Sequence, residues 1–455
     1  MYTLDDTIVA LSTPAGQGGI GIVRLSGPES RAILRALFVA PDGAALRFAS
    51  HRLYHGHIVD PDTGRRVDEV LAVYMRAPRT YTRQDVVEID CHGGAAALRA
   101  VLALCLAAGA RAAGPGEFTL RAFLNGRIDL AQAEAVRDVV AAQTGASLRV
   151  AVAQLGGRLS QRVAALRRLL VEALAYLEAA IDFPEDELPP RDVAADLAAA
   201  AADLHTLSRE AERGMLYRQG LRVAIVGRPN VGKSSLLNAL LRHDRAIVTP
   251  IPGTTRDTVE ETLNLRGIPV VLVDTAGLGE SGDAIERLGM ERSRASLERA
   301  DLVLFVVDAS CAPQDADRRV AEALGERRAV VVANKSDLPA IAGCETLLPA
   351  APLARVSALT GEGIDALEEC LVDLILSGAA AAAEEPLASN PRHRDLFRRA
   401  LAHVEAAADA LAAGIEGDLV AIDVSEAVTA LGLVTGESAS DELLETIFST
   451  YCIGK

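Results

Sequence analysis

The stretch GRPNVGKS, from Gly227 to Ser234, directly follows the apolar run RVAIV and precedes the helical SLLNALL. Few segments of this length restrict a fold as much. Glycines let successive backbone N–H groups converge on an anion, and the helix that follows adds the positive end of its dipole. Lys233 then supplies a point charge for terminal phosphate oxygens, and Ser234 a hydroxyl for Mg²⁺. Asn230, Val231, Gly232 and Ser235 complete the loop. Around it, IPVVLVDTAG, DLVLFVVDAS, AVVVANKSD and LARVSA are nearly continuous Val/Ile/Leu runs separated by helical stretches. Buried parallel strands have this composition, because both faces of such a sheet are covered. A doubly wound α/β domain with a phosphate loop is expected over residues 218–377.

Further motifs follow in order. GTTRD at 253–257 offers Thr255 as a second Mg²⁺ ligand, and Asp274 of DTAG, at a strand end, suits a water-mediated Mg²⁺ carboxylate. Thr275, Ala276 and Gly277 bring backbone toward the terminal phosphate. NKSD, Asn334 to Asp337 and including Lys335, selects the base. Asp337 can accept two N–H donors that guanine presents and adenine does not, so the wrong base leaves a carboxylate unpaired. Ser357 and Ala358 close the base site. These spacings imply GTP as the substrate, attacked in line by water with Mg²⁺ present. One position departs from the usual pattern: Leu278 stands where related switches carry a water-orienting glutamine, and it can orient nothing.

The flanks differ in character. Val163, Leu166, Leu170, Ala173, Leu177 and Ile181 form one apolar stripe of a helix ending near Phe183, and helical patterning resumes from Arg394 to Ala413. Residues 123–217 and 378–455 therefore read as the two parts of an all-α domain into which the α/β domain is inserted. Residues 1–122, with strand-like DTIVAL, GIGIVRLSG and DVVEIDCHGG and a helix near Ala95–Ala107, read as an α+β domain. Gly16, Gly18 and Gly21 satisfy GxGxxG, but IGIVRLSG reads as a strand, where that fingerprint must open a helix. No apolar run approaches the ~18 residues of a membrane span, and MYTLDDTIVA lacks a basic region ahead of an apolar stretch, so a cytoplasmic protein without a membrane is expected. Six scattered cysteines without a CxxC pair argue against a disulfide framework or a zinc site. A net charge of −16 argues against a protein that grips nucleic acid alone.

The motifs and their flanks together resemble the MnmE (TrmE) family of tRNA-modification GTPases. The resemblance covers TIVALSTPAGQGGIGIVRLSG, PGEFTLRAFLNGRIDLAQAEAV, the inserted α/β domain and the terminal CIGK. It implies a folate-binding-like N-terminal domain, a homodimer, and a flavin-carrying partner of the MnmG/GidA type, joined in a heterotetramer that modifies carbon 5 of the wobble uridine of certain tRNAs. It also implies a K⁺ ion in place of an arginine finger, held by Asn230 with Thr249, Ile251 and Thr254, and Glu286 as the group that orients water. A 5-formyl- or 5,10-methylene-tetrahydrofolate is expected at Arg24, Glu88, Arg127 and Lys455, with Arg127 where the family often has lysine. Cys452 could act covalently, as a proton relay or in packing. Two other readings stay open at this stage: a GTP-dependent switch in ribosome assembly, and a one-carbon transferase whose GTPase is regulatory.

Overall fold

The computed structural model describes residues 4–14, 16–43, 46–183, 189–244, 260–274, 297–376 and 386–454. Its chain divides into two compact units, one built from residues 1–137, 155–188 and 417–455, the other from 138–154 and 189–416.

The first unit opens with a sheet of β1 (Ile8–Leu11), β2 (Ile20–Ser26), β3 (Phe38–Val39), β4 (Arg52–Val59), β5 (Arg66–Met75), β6 (Val86–His92) and β7 (Arg111–Ala112), in the order β3-β4-β5-β6-β2-β1-β7. Among the described residues of this sheet only β1 and β7 pair in parallel. Helices α1 (Ser30–Leu37) and α2 (Ala95–Ala107) carry Leu34, Leu98 and Val101 onto one face, against Val23, Leu25, Val87 and Ile89. The glycine-rich run leads into β2 rather than a helix, as its alternation requires. Helix α3 (Glu117–Leu124) is fixed by an interior arginine. Arg121, 1% exposed, donates to the Asp6 and Ser26 carbonyls, to Gln84 and to the carboxylates of Asp6 and Glu117. A buried guanidinium is tolerable only when paired and hydrogen-bonded in this way.

Helices α4 (Leu130–Ala141), α5 (Gly145–Leu155), α6 (Arg158–Asp182) and α7 (Val193–Gln219) follow. Along α6 the apolar stripe is buried from Val163 to Leu177, but Ile181 is 41% exposed. It lies in the last turn beside Gly417, which offers it no side chain.

In the second unit β8 (Leu221–Val226), α8 (Lys233–Asp244), β9 (Glu260–Leu265), β10 (Ile268–Asp274), β11 (Leu302–Asp308), α9 (Asp315–Leu324), β12 (Ala329–Asn334), β13 (Leu353–Arg355) and α10 (Ile364–Leu376) form the doubly wound domain. Its strand order is β13-β12-β11-β8-β10-β9, parallel throughout except for the edge strand β9. Burial of β11 and β12 along their whole length explains their unbroken apolar sequence. The chain closes with α11 (Pro391–Ala412), α12 (Gly417–Thr435) and α13 (Asp441–Phe448). Helix α6 packs on α12 in the first unit, and α7 on α11 in the second. Each pair thus joins a helix preceding the α/β domain to one following it. No helix among the described residues is long and apolar enough to cross a membrane.

Candidate functional site

The phosphate loop runs from the end of β8 into α8. Gly227 and Gly232 have φ of 155° and 96°, and Asn230 adopts the left-handed conformation at 62°, which asparagine tolerates better than most residues. A Cβ on Gly232 would fall 2.3 Å from Asn334 Nδ2, so the loop sits against the NKSD motif without a spare atom. Lys233 reaches back across the loop, its Nζ donating to the carbonyls of Gly227 and Arg228 at 2.8 and 2.9 Å. Val231 is buried, while Asn230, Ser234 and Ser235 are exposed at the start of the helix.

Asn334, 2% exposed, joins the remaining motifs. Its Nδ2 donates to the Val231 carbonyl at 2.8 Å and its Oδ1 accepts from Ala358 N–H at 3.0 Å. Ser357, fully buried, donates from Oγ to Asp337 Oδ1 at 2.6 Å, which fixes the carboxylate's orientation. Lys335 pairs with Asp308 at 2.6 Å. Burial raises the Asp308 pKa, but the bonds from Lys335 and Ser310 outweigh it and hold the carboxyl below its ordinary value. Asp308 and the loop's Arg228 went unmarked in the sequence. Arg228 lies 3.3 Å from Asp317 and 3.9 Å from Asp308, so an acid at the end of β11 and one on α9 brace the loop from outside its motif. The Asp274 backbone registers with Ile225 of β8, beside the loop. Thr249, Ile251, Thr254, Thr255, Thr275, Ala276, Gly277, Leu278, Glu286 and Lys455 lie outside the described residues.

A second cluster forms in the first unit. Arg24 and Glu88 are register partners on β2 and β6, and Arg24 Nε donates to Glu88 Oε1 at 2.7 Å. The chain end reaches the same place. Ser12 Oγ and Arg24 Nη1 both donate to the Gly454 carbonyl, at 3.1 and 3.2 Å, and Ile453 bridges Pro115. Gly454 has φ 95°, and a Cβ there would meet the Leu11 carbonyl oxygen at 2.2 Å, so only glycine allows this approach. Cys452 is exposed, with its carbonyl accepting from Gly116 N–H. Arg127 does not touch the Arg24–Glu88 pair through any bond described. It lies over the Tyr81 ring, 4.7 Å from the centroid, while Arg24 lies 5.9 Å from the Phe118 centroid. Tyr81 packs against the cluster that contains Phe118. Neither ring was legible as a site residue, because an aromatic in an amphipathic stretch reads as core.

A model described as "MnmE helical domain" matches residues 130–452, and one described as "GTP-binding protein TrmE N-terminus" matches residues 7–127. The tRNA modification GTPase MnmE of Roseiflexus castenholzii is 52% identical, the match covering 99% of each chain. Those of Chloroflexus aurantiacus and Geobacter sulfurreducens are 50% and 48% identical, covering 99% and 100% of this chain and 100% of each relative. Since the likeness runs the full length and is not confined to the nucleotide motifs, the chain belongs to the MnmE family of tRNA modification GTPases.

Proposed function

We propose that this GTPase supports modification of carbon 5 of the wobble uridine of certain tRNAs. It does so in the cytoplasm with a flavin-carrying partner of the MnmG/GidA type, as a homodimer within a heterotetramer. The observation that carries the nucleotide half is the convergence on Asn334, whose buried amide ties the phosphate loop, the NKSD motif and Ser357-Ala358 through two hydrogen bonds. In this reading Lys233 and the loop N–H groups bind the phosphates, and Asp337, oriented by Ser357, takes the guanine edge. Ser234 and Thr255 hold Mg²⁺, with Asp274 acting through water. These hydroxyls and carboxylate are hard oxygen donors and fit that ion.

Leu278 leaves the attacking water without a side-chain partner of the usual kind. Asn230, exposed and left-handed at the loop's outer edge, has an amide oxygen suited to K⁺, and Thr249, Ile251 and Thr254 would complete the set. Bound there as two such domains meet, K⁺ supplies fixed positive charge beside the phosphates, the role an arginine finger plays elsewhere. Glu286 then orients the water through a second water.

Arg24, Glu88, Arg127 and Lys455 hold a tetrahydrofolate carrying a one-carbon unit, 5-formyl or 5,10-methylene. The donor set fits: Glu88 can accept from a pterin edge, and the guanidinium groups suit carboxylates. Folate, bound here, supplies the one-carbon unit, and Cys452 is exposed beside the chain end that meets Arg24. The domain division that goes with this reading is 1–122, 123–217 with 378–455, and 218–377.

The test is reconstitution with the flavin partner and tRNA. Modified nucleoside is expected only when GTP and the tetrahydrofolate donor are both supplied. Product made without GTP, or without the folate, contradicts the reading.

A further inference from the structure

Arg127 occupies an unusual position for an exposed cation. Its backbone is fixed by the N–H bond to the Ala122 carbonyl at 2.9 Å, just after the left-handed Gly126. Among the described residues it forms no ion pair; the group that meets its guanidinium is the face of Tyr81, at 4.7 Å. Arg24 differs, since Glu88 balances its charge. An aromatic face attracts and orients a guanidinium without neutralising it, and leaves the planar N–H fork open for a carboxylate.

Tyr81 is itself held firmly. Its hydroxyl shares a 2.9 Å hydrogen bond with Thr119, which is fully buried, and its ring packs against the clusters of Phe118 and of Leu120 with Phe448. The ring is thus held from the core side, and the Arg127 guanidinium lies over it. Phe118, in the same apolar assembly, carries Arg24.

We propose that Tyr81 is a positioning residue, whose ring holds Arg127 as an uncompensated cation for the carboxylates of a ligand's acidic tail. The inference rests on the folate reading above, in which that tail is the glutamate of the folate. Arg24 and Glu88 take the ring system, and Arg127 takes the tail.

The experiment uses the full chain and calorimetric binding of two probes, 5-formyltetrahydrofolate and its pteroate analogue lacking the glutamate. The wild type is expected to bind the tailed probe about tenfold more tightly, the scale of one charge-assisted contact. Tyr81→Leu brings that ratio to about one while leaving affinity for the tail-less probe unchanged, and Arg127→Ala likewise removes the preference for the tailed probe. Tyr81→Phe keeps the ring face and so keeps the ratio. A Tyr81→Leu chain that retains the preference, or that loses affinity for both probes equally, overturns the positioning role while leaving the folate reading intact. A wild type that binds neither probe overturns the folate reading and this inference with it.

Discussion

At the scale of single residues, Asn334 does more than its motif states. A buried side-chain amide that donates to one loop and accepts from another leaves both backbone groups unpaired when it is removed, and each such group costs about 1–3 kcal/mol. Asn334→Ala is therefore expected to lower the unfolding free energy of the chain by about 2–6 kcal/mol in urea titration and to weaken GTP binding together with it. Unchanged stability would show that Val231 and Ala358 find other partners. The sequence showed this residue because its motif is local and ordered. Asp308, Arg228 and Tyr81 were not legible, since each acts through a partner distant in the chain: Lys335, Asp317 and Arg127 respectively.

Among the elements, α3 and the β9–β10 hairpin each carry a polar anchor that can be tested by substitution. Helix α3 is held by Arg121 with Asp6 and Glu117. Burial alone would raise both carboxyl pKa values. The Arg111 and Arg121 guanidiniums reverse this, so each lies below its ordinary value in the folded chain. A depressed carboxylate pKa means that the stabilisation is complete above the unfolded value, near ~4, and is lost as pH falls through the folded values. Thermal unfolding is thus expected to become steeply acid-sensitive below about pH 4, and Glu117→Gln to flatten that dependence while lowering stability at neutral pH. An identical acid profile in the variant would remove Glu117 from the account.

The hairpin turns at Arg266 and Gly267, with φ of 48° and 97°, and Thr144 Oγ1 donates to the Gly267 carbonyl at 2.6 Å. A Cβ at Gly267 would lie 2.7 Å from Ala146 Cβ. Gly267→Ala should cost about 1–3 kcal/mol by denaturant unfolding, and Ala146→Gly in the same chain should recover only the steric part, because the backbone strain stays. Full recovery would show that the positive φ carries no cost. Strand β9 escaped the sequence reading, since EETLNL carries charged and polar residues and lacks the continuous apolar run of its neighbours. The buried strands β8, β11 and β12 were legible for the opposite reason.

For the molecule as a whole, the sequence revealed the fold classes because they differ in hydrophobic period: continuous runs in the α/β domain, steps of three and four in the helices, alternation in the N-terminal sheet. The pairing of helices was not legible, because an apolar stripe such as that of α6 specifies a buried face without naming α12 as its neighbour. With 62 acidic against 46 basic side chains, the chain suits the proposed division of labour, in which a partner makes most of the contact with tRNA. Within that division its own chemistry is hydrolysis of GTP, and the K⁺ proposed beside Asn230 would supply fixed positive charge at the phosphates. The most direct measurement is GTP turnover in K⁺ against Na⁺ across a range of protein concentrations. Faster turnover in K⁺ is expected, rising with concentration as two nucleotide domains meet; equal rates in both salts, independent of concentration, would contradict a K⁺ ion at the phosphates.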